Sequence, residues 1–136
     1  MNRPHRHVEV EVRGDVFCAR FRSRRLDETG IYELADELIA LGQEEGCRKL
    51  ALSLGPGSPE FLYSVFLAKL LTVQRRLREE GGSLKLCDVS PEVMTVFAAC
   101  QLQDTFDFAT DFEAAIAAWN IKKEEGGRRK DEKGPF

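Results

Sequence analysis

The chain has 136 residues, 43% of them hydrophobic and 32% charged, with a formal net charge of −3 at pH 7. That length can bury a core in a single domain without disulfide or metal staples, and the balance is that of an ordinary globular protein. The small negative charge excludes a global attraction to nucleic acid or anionic membrane, and no apolar run reaches the about 18 residues expected of a membrane-spanning helix.

Residues 1–7 read as a polar lead-in. Val8, Val10 and Val12 alternate with Glu9 and Glu11, the two-residue period of a half-buried strand. Gly14-Asp15 then marks a turn, and Val16–Phe21 is a second β-prone run, so the two form a hairpin. Asp27 is an N-cap with Glu28 in the first turn of a helix whose apolar face is Ile31, Leu34, Ala35, Leu38 and Ile39, and Gly46 is its stop signal. Leu50–Leu54 is a short buried strand.

Ser58-Pro59-Glu60 combines a cap residue, a proline at the first helical position and a carboxylate near the positive dipole end. It opens a long helix with Phe66, Leu70, Val73 and Leu77 as its core stripe and Gly81-Gly82 as its terminator. Leu84–Cys87 is a strand. Ser90-Pro91-Glu92 repeats the start signal for a third helix, with Val93, Phe97 and Cys100 on one side. Phe106–Phe108 is a short strand, and Asp111 caps a last helix through Phe112, Ala115, Ile116 and Trp119. Residues 121–136 are charged and almost without apolar anchors, the composition of a disordered tail.

Helices and strands that alternate in this way predict an α/β fold. After the N-terminal hairpin comes a mixed, mostly parallel sheet of about five strands with about four helices and right-handed crossovers. Periodicity leaves open how the helices divide between the two faces. The domain reading is a lead-in over 1–7, one domain over 8–120 and a tail over 121–136.

Several local strings, in this order, resemble the STAS domain of bacterial anti-sigma factor antagonists. Leu26-Asp27 looks like the family's entry to its first helix, with Arg24 at a position where the family has glycine. Gly81-Gly82-Ser83-Leu84, Ser90-Pro91-Glu92-Val93, Leu102-Gln103-Asp104-Thr105-Phe106 and Asp111-Phe112-Glu113-Ala114-Ala115 look like later landmarks. The resemblance spans roughly Val8–Trp119. The family's central D-S-S-G-L segment falls on Tyr63-Ser64-Val65-Phe66-Leu67. The resemblance therefore puts Val65 at the usual phosphoacceptor serine and Ser53 at the polar residue that ends the strand.

That alignment has a physical consequence. A serine at a helix N-terminus gains about −1.5 to −2 charges on phosphorylation, where free N–H groups and the positive dipole end receive them. Val65 accepts no phosphate, and a helix that starts at Ser58-Pro59-Glu60 would enclose Ser64. Ser58 and Ser64 are the alternative acceptor hydroxyls. The Gly- and Pro-rich loop between Ser53 and Tyr63 is longer than the family's common pattern; Phe61, Leu62, Tyr63, Val65, Phe66 and Leu67 cannot all face one core, so they are either partly exposed as a partner surface or buried under that loop.

The expected function is thus non-catalytic protein binding through Ser58, Glu60, Phe61, Leu62, Tyr63, Ser64 and Val65. The resemblance implies a protein partner: an anti-sigma factor of the serine-kinase type or another STAS protein, with a homodimer left open. Two alternatives stand beside it, a structural subunit of a lipid-transport ATPase complex and a small-ligand domain for a nucleotide or lipid. No cofactor, nucleic acid or membrane insertion is expected, and with no leader pattern the expected compartment is a cytoplasm with reduced thiols.

Other motifs are weak. Gly55-Pro56-Gly57-Ser58 lacks the phosphate-cradle spacing, and its proline removes a donor, so it reads as a turn. His5 and His7 lack further ligands for a metal. Cys18, Cys87 and Cys100 sit in apolar runs and read as buried small hydrophobes, and no cysteine pair has metal-ligand spacing. The arginines at 3, 6, 13, 20, 22, 24 and 25 are either solvated strand edges and loop ends or an electrostatic docking surface.

Overall fold

The computed structural model describes residues 5–56, 59–60 and 64–120. Its elements run β1 Val8–Arg13, β2 Val16–Phe21, α1 Glu28–Glu44, β3 Lys49–Ser53, α2 Ser64–Glu79, β4 Ser83–Cys87, α3 Pro91–Ala99 and β5 Asp107–Ala109. A fourth helix, α4, occupies 112–120. The five strands stand in chain order across one sheet, β1 antiparallel to β2 and the rest parallel. The α/β architecture read from the sequence is the one observed.

Chain order explains the layering. Three successive right-handed crossovers that step in one direction put α1, α2 and α3 on the same face. The burial pattern agrees. Ala19, Leu50, Leu52, Leu84 and Leu86 join Ile31, Leu34, Leu38, Phe66, Leu70, Leu77 and Phe97 in the larger core. The alternate residues Val16, Cys18, Ala51 and Cys87 point to the other face and pack with Phe112, Ala115 and Trp119 of α4. Among the described residues, three helices therefore cover one face and a single helix covers the other, which the sequence pattern left open.

Local signals account for most helix ends. Asp27 caps α1 by accepting the Gly30 N–H at 2.8 Å, Ser90 caps α3 by accepting the Val93 N–H at 3.2 Å, and Asp111 caps α4 by accepting the Ala114 N–H at 2.8 Å. At the C-terminus of α2, Gly81 adopts φ +83°. That turn lets the Gly82 N–H reach the Leu77 carbonyl at 2.7 Å and the Gly81 N–H reach Arg78 at 3.0 Å, a Schellman closure.

Five expectations shift, one of them strand β4, which begins one residue early at Ser83. The start signal at Ser58-Pro59-Glu60 does not open α2 at Pro59 or Glu60: Glu60 lies in a turn, and the described helix begins at Ser64. The Glu60 N–H donates to the Arg24 carbonyl at 2.8 Å, which ties Glu60 to the β2–α1 connection. Cys100 is exposed, because α3 ends at Ala99 and the chain turns outward there, whereas Cys47 is buried. Strand β3 begins one residue early, at Lys49, because that residue still pairs with Val16 and Ser83. Strand β5 starts at Asp107, one residue late, and Phe106 is buried just before it. The lead-in before His5 and the charged segment after Asn120 lie outside the described residues.

Candidate partner-binding site

Parallel strands end together, and the loops that follow β2, β3, β4 and β5 lie at one end of the sheet. Ser53 closes β3. Its hydroxyl donates to the Asp88 carboxylate at 2.5 Å and accepts the Gly55 N–H at 3.3 Å. Asp88 follows β4 directly with φ +56°, a left-handed conformation that aspartate tolerates better than most residues. Its own N–H donates to the Thr110 carbonyl at 3.0 Å, and the Leu54 N–H donates to Cys87 at 2.9 Å. The β3–α2, β4–α3 and β5–α4 connections are thereby tied side by side.

Gly55 sits where this tie is tightest. A Cβ there would lie 2.9 Å from the Asp88 Cβ and 3.0 Å from its carbonyl oxygen. The Gly55-Pro56 peptide is cis.

Arg24 holds the same connection from the other side. Its guanidinium donates to the Gly55 carbonyl at 3.0 Å and to the Leu54 carbonyl at 3.1 Å. The Arg24 carbonyl accepts from Glu60 N–H, and Arg25 pairs with the Glu60 carboxylate at 3.0 Å. The sequence singled out Arg24 as a departure from glycine and as one of the N-terminal arginines; its hold on Leu54 and Gly55 needed the fold. Asp88 was not singled out, and its only sequence signal is its place between a strand and the Ser90-Pro91 cap.

Of the expected partner-facing residues, Glu60 is exposed in this loop and Ser64 is exposed at the described start of α2. Val65 is half-buried against the main core, and Phe66 and Leu67 are buried within it. The described part of the apolar run thus faces inward. Ser58, Phe61, Leu62 and Tyr63 lie outside the described residues.

Arg3 lies outside the described residues, and the other arginines of the first segment have internal partners. Arg6 pairs with Glu33, Arg13 with Glu11 and Arg22 with Glu9. Arg20 lies over the Phe112 ring, 4.6 Å from its centroid. With Arg13, Asp88, Asp111 and Glu113 these residues line an open cleft of about 190 Å³ above α4. His5 and His7 meet Glu45 and Glu33 at 3.5 and 2.9 Å, which seats the first described residues on α1. Burial pushes the Cys47 and Cys87 thiols up to about 12, so both stay protonated and poor as nucleophiles or ligands near neutrality. No helix of the described residues is long and apolar enough to cross a membrane.

No family model matches the chain. BtrV, a candidate anti-sigma factor antagonist of Bordetella bronchiseptica, is 33% identical to it over 81 residues, which are 60% of this chain and 68% of BtrV. An anti-sigma-factor antagonist (STAS) domain protein from Planctomyces limnophilus superposes with a TM-score of 0.65 at 26% identity, over 81% of this chain and 96% of that one. A candidate anti-sigma factor antagonist from Thermotoga maritima, 15% identical, shares the fold with a TM-score of 0.70 over 82% and 92% of the two chains. The order of strands, the loop cluster at their ends and these likenesses converge: the chain belongs to the STAS-domain family of anti-sigma factor antagonists.

Proposed function

We propose that this chain is a non-catalytic protein-binding module that docks a protein partner through the β3–α2 connection and the start of α2, without a phosphoswitch at the family position. The observation that supports this reading is the hold of Arg24 on Leu54, Gly55 and Glu60, described residues that lead toward the exposed Ser64. Residues held in place before binding give up less conformational freedom on docking. Val65, at the position of the usual acceptor, carries no hydroxyl and packs against the core. The partner is an anti-sigma factor of the serine-kinase type or another STAS protein, met in the cytoplasm. The domain that docks is residues 8–120, with 121–136 as an appended tail.

Affinity purification of the full chain from its native extract, with mass spectrometry of what accompanies it, tests the class of partner. A kinase-type anti-sigma factor or a STAS protein supports the reading. A stoichiometric ATPase with a membrane permease overturns it in favour of a structural subunit. With the purified partner, Ser64→Arg is expected to weaken binding at least about tenfold, a loss of about 1.4 kcal/mol, while Glu113→Arg on α4 leaves it unchanged. Incubation with the partner and labelled ATP is expected to leave the chain unlabelled; phosphate on Ser58 or Ser64 would sink the claim that no switch operates.

A further inference from the structure

Strand β1 is one edge of the sheet, and its hydrogen-bonding phase is fixed. The Arg22 N–H donates to the His7 carbonyl at 2.9 Å, and these residues stand directly opposite in the register that pairs Val8 with Phe21. Opposed residues in an antiparallel ladder alternate between hydrogen-bonded and non-bonded pairs. Glu9, Glu11 and Arg13 therefore aim their N–H and C=O groups at β2, and Val8, Val10 and Val12 aim theirs out of the sheet. The two-residue turn at Gly14-Asp15, closed by Arg13 and Val16, requires the same phase. The Arg22 side chain takes the Val8 carbonyl at 3.1 Å. Among the described residues, no hydrogen bond reaches the outward groups of Val10 and Val12.

Protein edges are usually blunted by proline, a bulge, a short strand or an inward charge. Strand β1 has six residues in unbroken register with β2 and no proline. Val12, on the same face as Val10, is 54% exposed and is the most exposed large hydrophobic among the described residues. The charges along its other face are ordered Glu9, Glu11, Arg13.

We propose that β1 docks a second copy of this chain, strand against antiparallel strand, about a two-fold axis at Glu11. In that register Val10 exchanges both hydrogen bonds with the partner's Val12, and Val12 does so with the partner's Val10. The exposed valines cover each other on one face. On the other, Glu9 faces the partner's Arg13 and Arg13 faces the partner's Glu9. The two Glu11 side chains meet at the axis, each already held by Arg13 of its own chain at 3.2–3.3 Å.

Neighbouring registers are worse. Sliding two residues one way sets Glu9 against the partner's Glu11 twice, a like-charge contact that destabilises a sheet. Sliding two residues the other way confines pairing to residues 11–13 and runs it into the Gly14-Asp15 turn. A one-residue slip puts valines opposite charges. Apart from the single Glu11 pair at the axis, the order of charges is self-complementary, which selects a copy of this chain over an unrelated strand. The proposal is independent of the function proposed above.

Sedimentation of the full chain tests it. The wild type is expected to associate to a dimer at about 100 μM and to be fully monomeric when diluted about a thousandfold. Val12→Pro removes an outward N–H that the β1–β2 ladder does not use, so the fold survives and dimerisation weakens at least tenfold. Glu9→Arg and Arg13→Glu each set like charges against each other in a homodimer and are expected to be monomeric alone. Mixed one to one, they restore both opposite-charge pairs and form a heterodimer. A wild type that stays monomeric at about 1 mM overturns the inference. So does a dimer that the charge variants leave intact, or a mixture that fails to associate. If Val12→Pro disturbs the fold by circular dichroism, the charge pair decides.

Discussion

Single residues at the ends of the parallel strands carry specific mechanical roles. Arg24 bonds two successive carbonyls, and a hydrogen bond from a charged donor contributes about 1.5–3 kcal/mol. Arg24→Gly, which restores the residue that the family resemblance expects, should lower stability by about 1–3 kcal/mol in urea denaturation and loosen the β3–α2 connection to limited proteolysis. Gly55→Ala drives a methyl group into the Asp88 backbone. It should cost about 1–3 kcal/mol, the range of overpacked sites, read from the same denaturation curves. The thiols divide by exposure: Cys18, Cys47 and Cys87 are buried and Cys100 is exposed. Alkylation of the native protein near pH 8 should modify Cys100 alone, and unfolding should release the other three; rapid native labelling of Cys47 would contradict the burial that holds its thiol protonated.

Among the secondary elements, helix starts at Asp27, Ser90 and Asp111 were legible because a cap acts within three residues and needs no tertiary partner. Asp27→Ala should destabilise the protein by about 1 kcal/mol, seen as a lower urea midpoint with unchanged slope. The start of α2 shows the limit of the same logic. Ser58-Pro59-Glu60 has every local mark of a helix N-terminus. The Arg24 carbonyl and the Arg25 side chain, more than thirty residues earlier, hold Glu60 in the turn instead. A restraint of that kind leaves no periodic trace in the loop itself. The core stripe of α2, by contrast, was read correctly, since Phe66, Leu70, Val73 and Leu77 recur on one side of any helix through this segment and all four are buried.

Across the whole molecule the two faces of the sheet are unequal. Helices α1, α2 and α3 share one extended core, whereas α4 rests on a smaller cluster that includes Trp119. Trp119 donates its indole N–H to the Ser83 hydroxyl at 2.9 Å, and the Lys85 ammonium lies 5.2 Å from its ring centroid. Elements with fewer buried contacts open first. The single tryptophan therefore reports on the weaker face. Its fluorescence should change at lower urea than the helical circular dichroism signal; coincident transitions would show that both faces unfold as one unit. Phe97, packed edge-to-face against Phe106 and Phe108 at 5.7 and 5.5 Å, belongs to the stronger face. Phe97→Ala should cost about 3–5 kcal/mol, measured as the loss in unfolding free energy.

The sequence by itself determined the element order, the caps of α1, α3 and α4, the core stripe of α2, the mixed sheet and the family, because each is written in local periodicity, in turn chemistry or in strings of adjacent residues. Only the tertiary structure decided that three helices share one face, that Arg24 clamps the β3–α2 connection, that Ser53 and Asp88 join across neighbouring strands and that Cys100 faces solvent. Those facts depend on which distant segments become neighbours when the strands align. Pairings such as Arg24 with Gly55 or Ser53 with Asp88 join residues more than thirty positions apart, where the chain carries no local record of the contact.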